Sequence, residues 1–145
     1  MPAATLAAAW AHRDAGRWND ALAAYLAIVT IAPTADTWDE YAHALKDAGR
    51  YADAVAAWGE ALTLGHARPH ELELNRAVVH ADHLRRDADA ETALVAALSY
   101  RPDCVPALMN LGNLHEQRGD RAAALAAYAR VLALSDAQCG TDAPL

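Results

Sequence analysis

Apolar and small residues recur at helical spacing in the last third of the chain. Leu108, Leu111, Gly112 and His115 fall at i, i+3, i+4 and i+7, which is one face of a helix, and Ala124, Tyr128 and Val131 repeat the spacing. The intervening Arg118-Gly119-Asp120 predicts a break, with Gly119 in the left-handed conformation that ends one helix and Asp120 capping the next. Residues 108–134 therefore read as an antiparallel pair of helices of about a dozen residues each. A single pair cannot bury both of its faces, so the pattern asks for a neighbour.

The neighbours lie upstream. The break recurs as Ala15-Gly16-Arg17-Trp18 and Ala48-Gly49-Arg50-Tyr51, and in weaker form as Leu84-Arg85-Arg86-Asp87. An alanine follows each break (Ala21, Ala54, Ala90, Ala124), and four residues later comes a large apolar residue (Tyr25, Trp58, Leu94, Tyr128). These anchors are 33, 36 and 34 residues apart, a period that signals a repeat array. Pro33 and Pro102 close the first and third units. Gly65-His66-Ala67-Arg68-Pro69-His70 lengthens the second connection by about two residues, and Pro69 suits the first turn of the helix that follows.

Composition narrows the class. The 145 residues are 54% hydrophobic with alanine dominant, and β-branched runs are nearly absent, which favours an all-α domain with one continuous core. A net charge of -7 argues against general binding to nucleic acid or anionic membranes. No stretch approaches the ~20 apolar residues that span a bilayer. The N-terminal apolar run lacks a basic flank and continues a helical pattern, so it reads as the first helix rather than a signal peptide. Cys104 and Cys139 form no C-x-x-C and no dense framework, so reduced thiols and a cytoplasmic setting are expected.

The repeat resembles the tetratricopeptide repeat (TPR). The second unit carries the pattern in Trp38, Tyr41, Ala42, Leu45, Gly49, Tyr51, Ala54, Trp58 and Ala61, and the fourth in Leu108, Leu111, Gly112, Gly119, Ala124 and Tyr128. The first has Ala9, Gly16, Trp18, Ala21, Tyr25, Ile28 and Pro33. The third is the poorest, with Leu74, Ala77, Ala90, Leu94, Ala97 and Pro102, and with Arg85 in place of the turn glycine. The resemblance implies a right-handed α-solenoid of four helix-turn-helix units, eight helices in all, at about 2–34, 35–70, 71–104 and 105–136. Residues 137–145 are expected to form a short flexible tail, and the chain reads as self-contained. Local opening is expected first in the third unit.

In this family the first helix of each pair lines a concave groove. The positions facing it recur three, four and three residues apart. Carried over, they give Leu6, Trp10 and Arg13, then Asp36, Asp39, Glu40, His43 and Lys46. The third unit gives Leu72, Asn75, Arg76, Val79 and Asp82, and the fourth Met109, Asn110, Asn113 and Glu116. The resemblance thus implies a peptide-binding groove that includes Trp10, Asp39, Glu40, His43, Asn75, Arg76, Met109, Asn110 and Asn113. A carboxylate clamp for acidic chaperone tails is not expected: of the matching positions Leu6, Trp10, Glu40, Leu72 and Arg76, only Arg76 fits. Asn110 and Asn113 match asparagines in the TPR units of O-linked N-acetylglucosamine transferases, where an amide can donate to and accept from a peptide backbone. In that mapping Ala7, Glu40 and Arg76 interrupt the ladder. The acidic Asp36, Asp39, Glu40 and Asp47 read either as selection for a basic ligand or as a solvated face.

The implied function is a protein-protein interaction module, acting as scaffold or adaptor on a peptide or protein partner. Two alternatives stand beside it. One is self-association through Leu125 and Leu132 on the uncapped face of the last helix. The other is an accessory domain of a larger enzyme, such as a glycosyltransferase. Seven histidines raise the question of a metal, but His80 and His83 at i, i+3, and His66 and His70 around the insertion, lack partners at ligand spacing. His12 and His115 stand where the family carries tyrosine and read as packing. No phosphate loop, nucleophile elbow or placed base is present, so neither catalysis nor a cofactor is expected.

Overall fold

The structure, a computed structural model, describes residues 5–142, with side chains described as far as Ser135. The described residues form eight helices and no strand: α1 (Leu6–Asp14), α2 (Trp18–Ile31), α3 (Ala35–Asp47), α4 (Tyr51–Thr63), α5 (Pro69–Asp82), α6 (Asp87–Tyr100), α7 (Val105–Gln117) and α8 (Arg121–Asp142). Local chemistry sets their ends. The hydroxyls of Thr5 and Thr34 accept the N–H groups of Ala8 and Thr37 at 3.1 Å, capping α1 and α3. Asp120 accepts the Ala123 N–H at 3.1 Å and caps α8. Pro69 opens α5, where its missing N–H leaves no intrahelical bond unmade. Gly16, Gly49 and Gly119 follow α1, α3 and α7 at φ of 74°, 80° and 79°, a region open to glycine at no steric cost.

Helix α8 runs to Asp142, past the boundary at 136 where the sequence placed the end of the last unit. Once a helix is nucleated each added residue gains a bond, so a stretch with few apolar residues can still extend it. Of the expected tail, residues 143–145 lie outside the described residues.

Each helix packs against its neighbours in the chain, and consecutive pairs stack into an array. The small residues meet as the repeat pattern requires: Ala9, Ala42, Ala77 and Gly112 on the first helices and Ala21, Ala54, Ala90 and Ala124 on the second are all buried. Tyr25, Trp58 and Leu94 fill the space beside them and are themselves buried. Tyr25 stacks on Tyr41 with centroids 6.1 Å apart, tying the first unit to the second.

The third unit departs from this scheme by one residue. In the other units the paired small residues are twelve apart, whereas Ala77 and Ala90 are thirteen apart. The extra residue lies in the α5–α6 turn. The N–H groups of Arg17, Arg50 and Asp120 close onto carbonyls five residues back, at His12, Leu45 and His115, but the Arg86 N–H reaches six back to His80. Arg85 takes the left-handed conformation in this turn at φ 57°. The lengthening seen in the sequence is thus divided, one residue before α5 and one after it.

This shift changes what α5 presents. Glu73, Arg76 and His80 take the sites held in α3 by Trp38, Tyr41 and Leu45, and in α7 by Leu108, Leu111 and His115. Glu73 and His80 are buried despite their polarity. The apolar core divides at this helix: Leu72 and Val79 join the cluster of the first two units, and Ala77 joins that of the last two. Leu72 and Val79, mapped to the groove from sequence, are therefore core residues.

Candidate peptide-binding groove

Helices α1, α3, α5 and α7 line one side of the array. Between α1 and α3 that side is tied shut. The Trp10 indole N–H donates to Glu40 Oε1 at 3.1 Å, and Arg13 pairs with Asp47 at 2.9 Å. Trp10 keeps 46% of its surface exposed, so its ring remains available as an apolar contact while its one donor is committed.

Asp39 has a structural role. Its Oδ1 accepts the Trp58 indole N–H at 2.9 Å and lies 3.3 Å from His43 Nε2, and its Oδ2 lies 3.1 Å from His66 Nε2. Burial acts to raise this carboxyl but is outweighed by the hydrogen bonds from His43 and Trp58 and by the nearby His66, so it sits below the ordinary carboxylate range. Because the Arg68 N–H donates to His66 Nδ1 at 3.0 Å, the His66 proton resides on Nε2 and points at Asp39. His43 packs edge-on against Trp58, with centroids 5.2 Å apart. Three of the four acidic groups singled out in this unit, Asp39, Glu40 and Asp47, are thus engaged by partners inside the chain. Asp36 alone stays 91% exposed, 3.6 Å from His66.

The groove opens between α3 and α5. A cleft of about 350 Å³ is lined by Lys46, Asp47, Asn75, Val78 and the stacked rings of Tyr51 and His83, whose centroids are 3.9 Å apart. A second, smaller pocket of about 110 Å³ lies between α5 and α7. Asp82, Asn110, Asn113 and Gln117 line it, over a floor that includes Ala77, Ala81, Leu94 and Leu114. Val78 borders both. Met109 is exposed beside Asn110 on α7. The Tyr128 hydroxyl lies 2.6 Å from Asn113 Oδ1 and 3.0 Å from Glu116 Oε2, fixing both side chains from α8.

Asn75 and Asn110 are equivalent residues of α5 and α7, thirty-five apart, as Ala77 and Gly112 are. Arg76, assigned to that site from sequence, lies elsewhere: it pairs with Glu73 at 3.2 Å and shares a cleft of about 160 Å³ with His80, Asp89 and Thr92. Its guanidinium sits over bare Gly59 of α4. The mapped set Leu72, Asn75, Arg76, Val79 and Asp82 sets Val78 opposite Ala42 and Gly112. Aligning on Ala77, the small residue that the seam requires, places Asn75 and Val78 on the groove and Arg76 off it. Gln117 and the Tyr51–His83 stack line these clefts although the sequence mapping did not include them.

At the far end of the array Leu125 and Leu132 are each 65% exposed, whereas their equivalents in the first unit, Leu22 and Val29, are 8% and 3% exposed. Cys104 is buried at the start of α7, while the Cys139 side chain lies outside the described ones. Among the described residues no three His, Cys, Asp or Glu side chains are grouped to hold a metal, and no helix is long and apolar enough to cross a membrane.

The tetratricopeptide repeat family model matches residues 84–138. No curated protein matches the whole sequence significantly. Among solved structures, MamA superposes with a TM-score of 0.78 at 19% identity, over 91% of this chain and 77% of its own. PilW, described as a widely conserved type IV pilus biogenesis factor, gives 0.70 at 20% identity, over 90% of this chain and 60% of its own. BtubC from P. vanneervenii gives 0.74 at 22% identity, over 91% and 62%. At such identities the likeness is one of fold: a solenoid of helix pairs.

Proposed function

Since the chain is a tetratricopeptide-repeat protein, we propose that it is a binding module, not an enzyme, and that it grips an extended peptide segment of a protein partner along α3, α5 and α7. The observation that carries this reading is the recurrence of Asn75 and Asn110 at equivalent sites, each on the wall of an open cleft. An amide that can donate and accept suits a peptide backbone, whose N–H and C=O groups alternate. The tied α1–α3 end favours a ligand that starts beside Lys46 and runs toward Asn113, with Trp10 and Met109 as apolar contacts at the margins. Asp39, Glu40 and Arg76 act in this reading as supports rather than as ligand contacts, and His43 as a wall held by Trp58.

The test is selection of random dodecapeptides displayed on phage against the full chain, followed by binding to Asn75→Ala with Asn110→Ala. Peptides that lose at least tenfold in affinity to the doubly substituted chain support the groove. Selected peptides that bind both chains alike would move the site elsewhere.

A second reading has its own observation, the exposure of Leu125 and Leu132 at sites that the first unit buries under the next. It makes this face a contact for another copy of the chain. Sedimentation of the wild type against Leu125→Glu with Leu132→Glu decides it: an equal, monomeric mass for both chains over a wide concentration range rules the contact out.

A further inference from the structure

We infer that the segment bound in the groove places a basic side chain, lysine or arginine, in the pocket between α5 and α7, with Asp82 as its counter-charge; this rests on the groove reading above. The pocket is apolar below and polar at its rim. Ala77, Ala81, Leu94 and Leu114 give it methyl and isobutyl walls, and about 110 Å³ accommodates one side chain's aliphatic stem. Asp82 and the amides of Asn110, Asn113 and Gln117 stand where the end of that stem would emerge. The Asp82 carboxylate accepts only and carries full negative charge, so the group it suits is a donor with positive charge. The neighbouring amides can accept from it or donate to the peptide backbone. An acidic side chain would meet Asp82, and a purely apolar one would cover the Asp82 carboxylate without giving it a partner.

Charge placement along the groove singles out this pocket. Asp14, Asp47 and Asp82 close α1, α3 and α5 at equivalent sites. Each stands at the negative end of its helix dipole, where a carboxylate is locally unfavourable. Asp47 is compensated by Arg13 at 2.9 Å, and Lys46 lines the same cleft. Asp14 and Asp82 both stand outside the ion pairs formed among the described residues, which engage Asp47, Glu73 and Glu91 with arginines of the chain itself. Of the two it is Asp82 that lines a pocket. The cleft at α3 is therefore balanced in charge, and the one at α5 carries negative charge for a partner to meet. Of the acidic groups noted in the second unit, Asp39, Glu40 and Asp47 are engaged internally and Asp36 lies outside the clefts, so the carboxylate that faces a pocket is one helix pair further on.

The test uses peptides selected on the wild-type chain, each remade with norleucine in place of its most recurrent basic residue. Convergence on lysine or arginine at one fixed position is expected, with roughly fivefold weaker binding of the norleucine form at low salt, the scale of a rim ion pair. Asp82→Asn should erase that difference while leaving affinity for the norleucine peptide unchanged. Removing a carboxylate from a helix C-terminus should not weaken the fold. Convergence on an apolar or acidic residue, or a lysine preference that survives Asp82→Asn, overturns the inference while the groove stands. If no selected peptide depends on Asn75 and Asn110, the groove reading fails and the inference falls with it.

Discussion

The Trp58 indole N–H is held by Asp39 Oδ1 at 2.9 Å, joining the two helices of the second unit beneath the groove surface. With His66 on the other oxygen, Asp39 also fastens the α4–α5 turn. Asp39→Ala leaves a fully buried indole without a partner and should lower stability by about 1–3 kcal/mol in urea titration. The Asp39 carboxyl titrates below its unfolded value of 3.8. Its contribution is therefore present above that value and lost as pH falls through the lower folded one. Asp39→Ala should flatten the stability profile in that acid range. A lost affinity for peptide with unchanged stability would instead return Asp39 to the ligand.

Gly112 is glycine because Tyr128 lies over it. A Cβ there would stand 2.5 Å from Cε1 of the ring, which cannot slide away without breaking its hydroxyl contacts to Asn113 and Glu116. Gly112→Ala should destabilise the chain by about 1–3 kcal/mol. Adding Tyr128→Leu, the pairing that Ala77 and Leu94 already make, should recover most of the loss. Equal destabilisation in both backgrounds, read by thermal melting, would remove Tyr128 as the cause.

Arg85 is the described non-glycine residue with positive φ, at 57°. Left-handed backbone is disfavoured by a side chain, so Arg85→Gly should raise stability by about 1 kcal/mol, a melting shift of roughly 2–4 °C at this size. Arg86→Gly makes the control, since Arg86 has φ -110° and gains nothing from a missing Cβ. Equal shifts for the two would show that the turn is unstrained.

The fold was readable because it is periodic: Ala54 and Trp58, or Ala124 and Tyr128, recur with their breaks, and four copies in phase fix a helix-pair array. The family's groove positions could be carried over in register only where the period held. In α7 Leu108 and Gly112 anchor the register, so the family's groove positions carry over to Asn110 and Asn113, which line the pocket between α5 and α7. In α5 an extra turn residue displaced the frame by one, and a one-residue error on a helix turns a site through about 100°. Arg76 thereby took the site equivalent to Asn110, which Asn75 holds, and the core residues Leu72 and Val79 were mapped to the groove. Side-chain alliances such as Trp58 with Asp39 join residues of different helices, and no local spacing carries them.

The polar row of Glu73, Arg76 and His80 on α5 sets the last prediction. Glu73 and Arg76 form an ion pair at sites that α3 fills with Trp38 and Tyr41 and α7 with Leu108 and Leu111. Arg76 Nε and His80 Nδ1 lack partners among the described residues. Replacing both members of a buried pair by apolar residues is often stabilising, so Glu73→Leu with Arg76→Leu should gain about 1–4 kcal/mol, whereas Glu73→Leu alone should lose stability by stranding Arg76. Acid should then act through His80. Burial pushes its imidazole down, Arg76 and Arg86 add to the shift, and Asp89 opposes it. A folded value below the unfolded 6.5 means that the contribution of the neutral ring is complete above 6.5 and lost as pH falls beneath it. Glu73, raised by burial against the pull of Arg76, has the opposite slope: its ionised form opposes folding, and that burden lifts on acidification through its raised value. In the chain with Glu73→Leu and Arg76→Leu only the histidine slope remains. Hydrogen exchange of residues 71–104, corrected for intrinsic rates, should accelerate from pH 7 to about 5.5 there and stay level once His80→Leu is added. Protection that falls equally with and without His80 would place the weak point of the array outside this row.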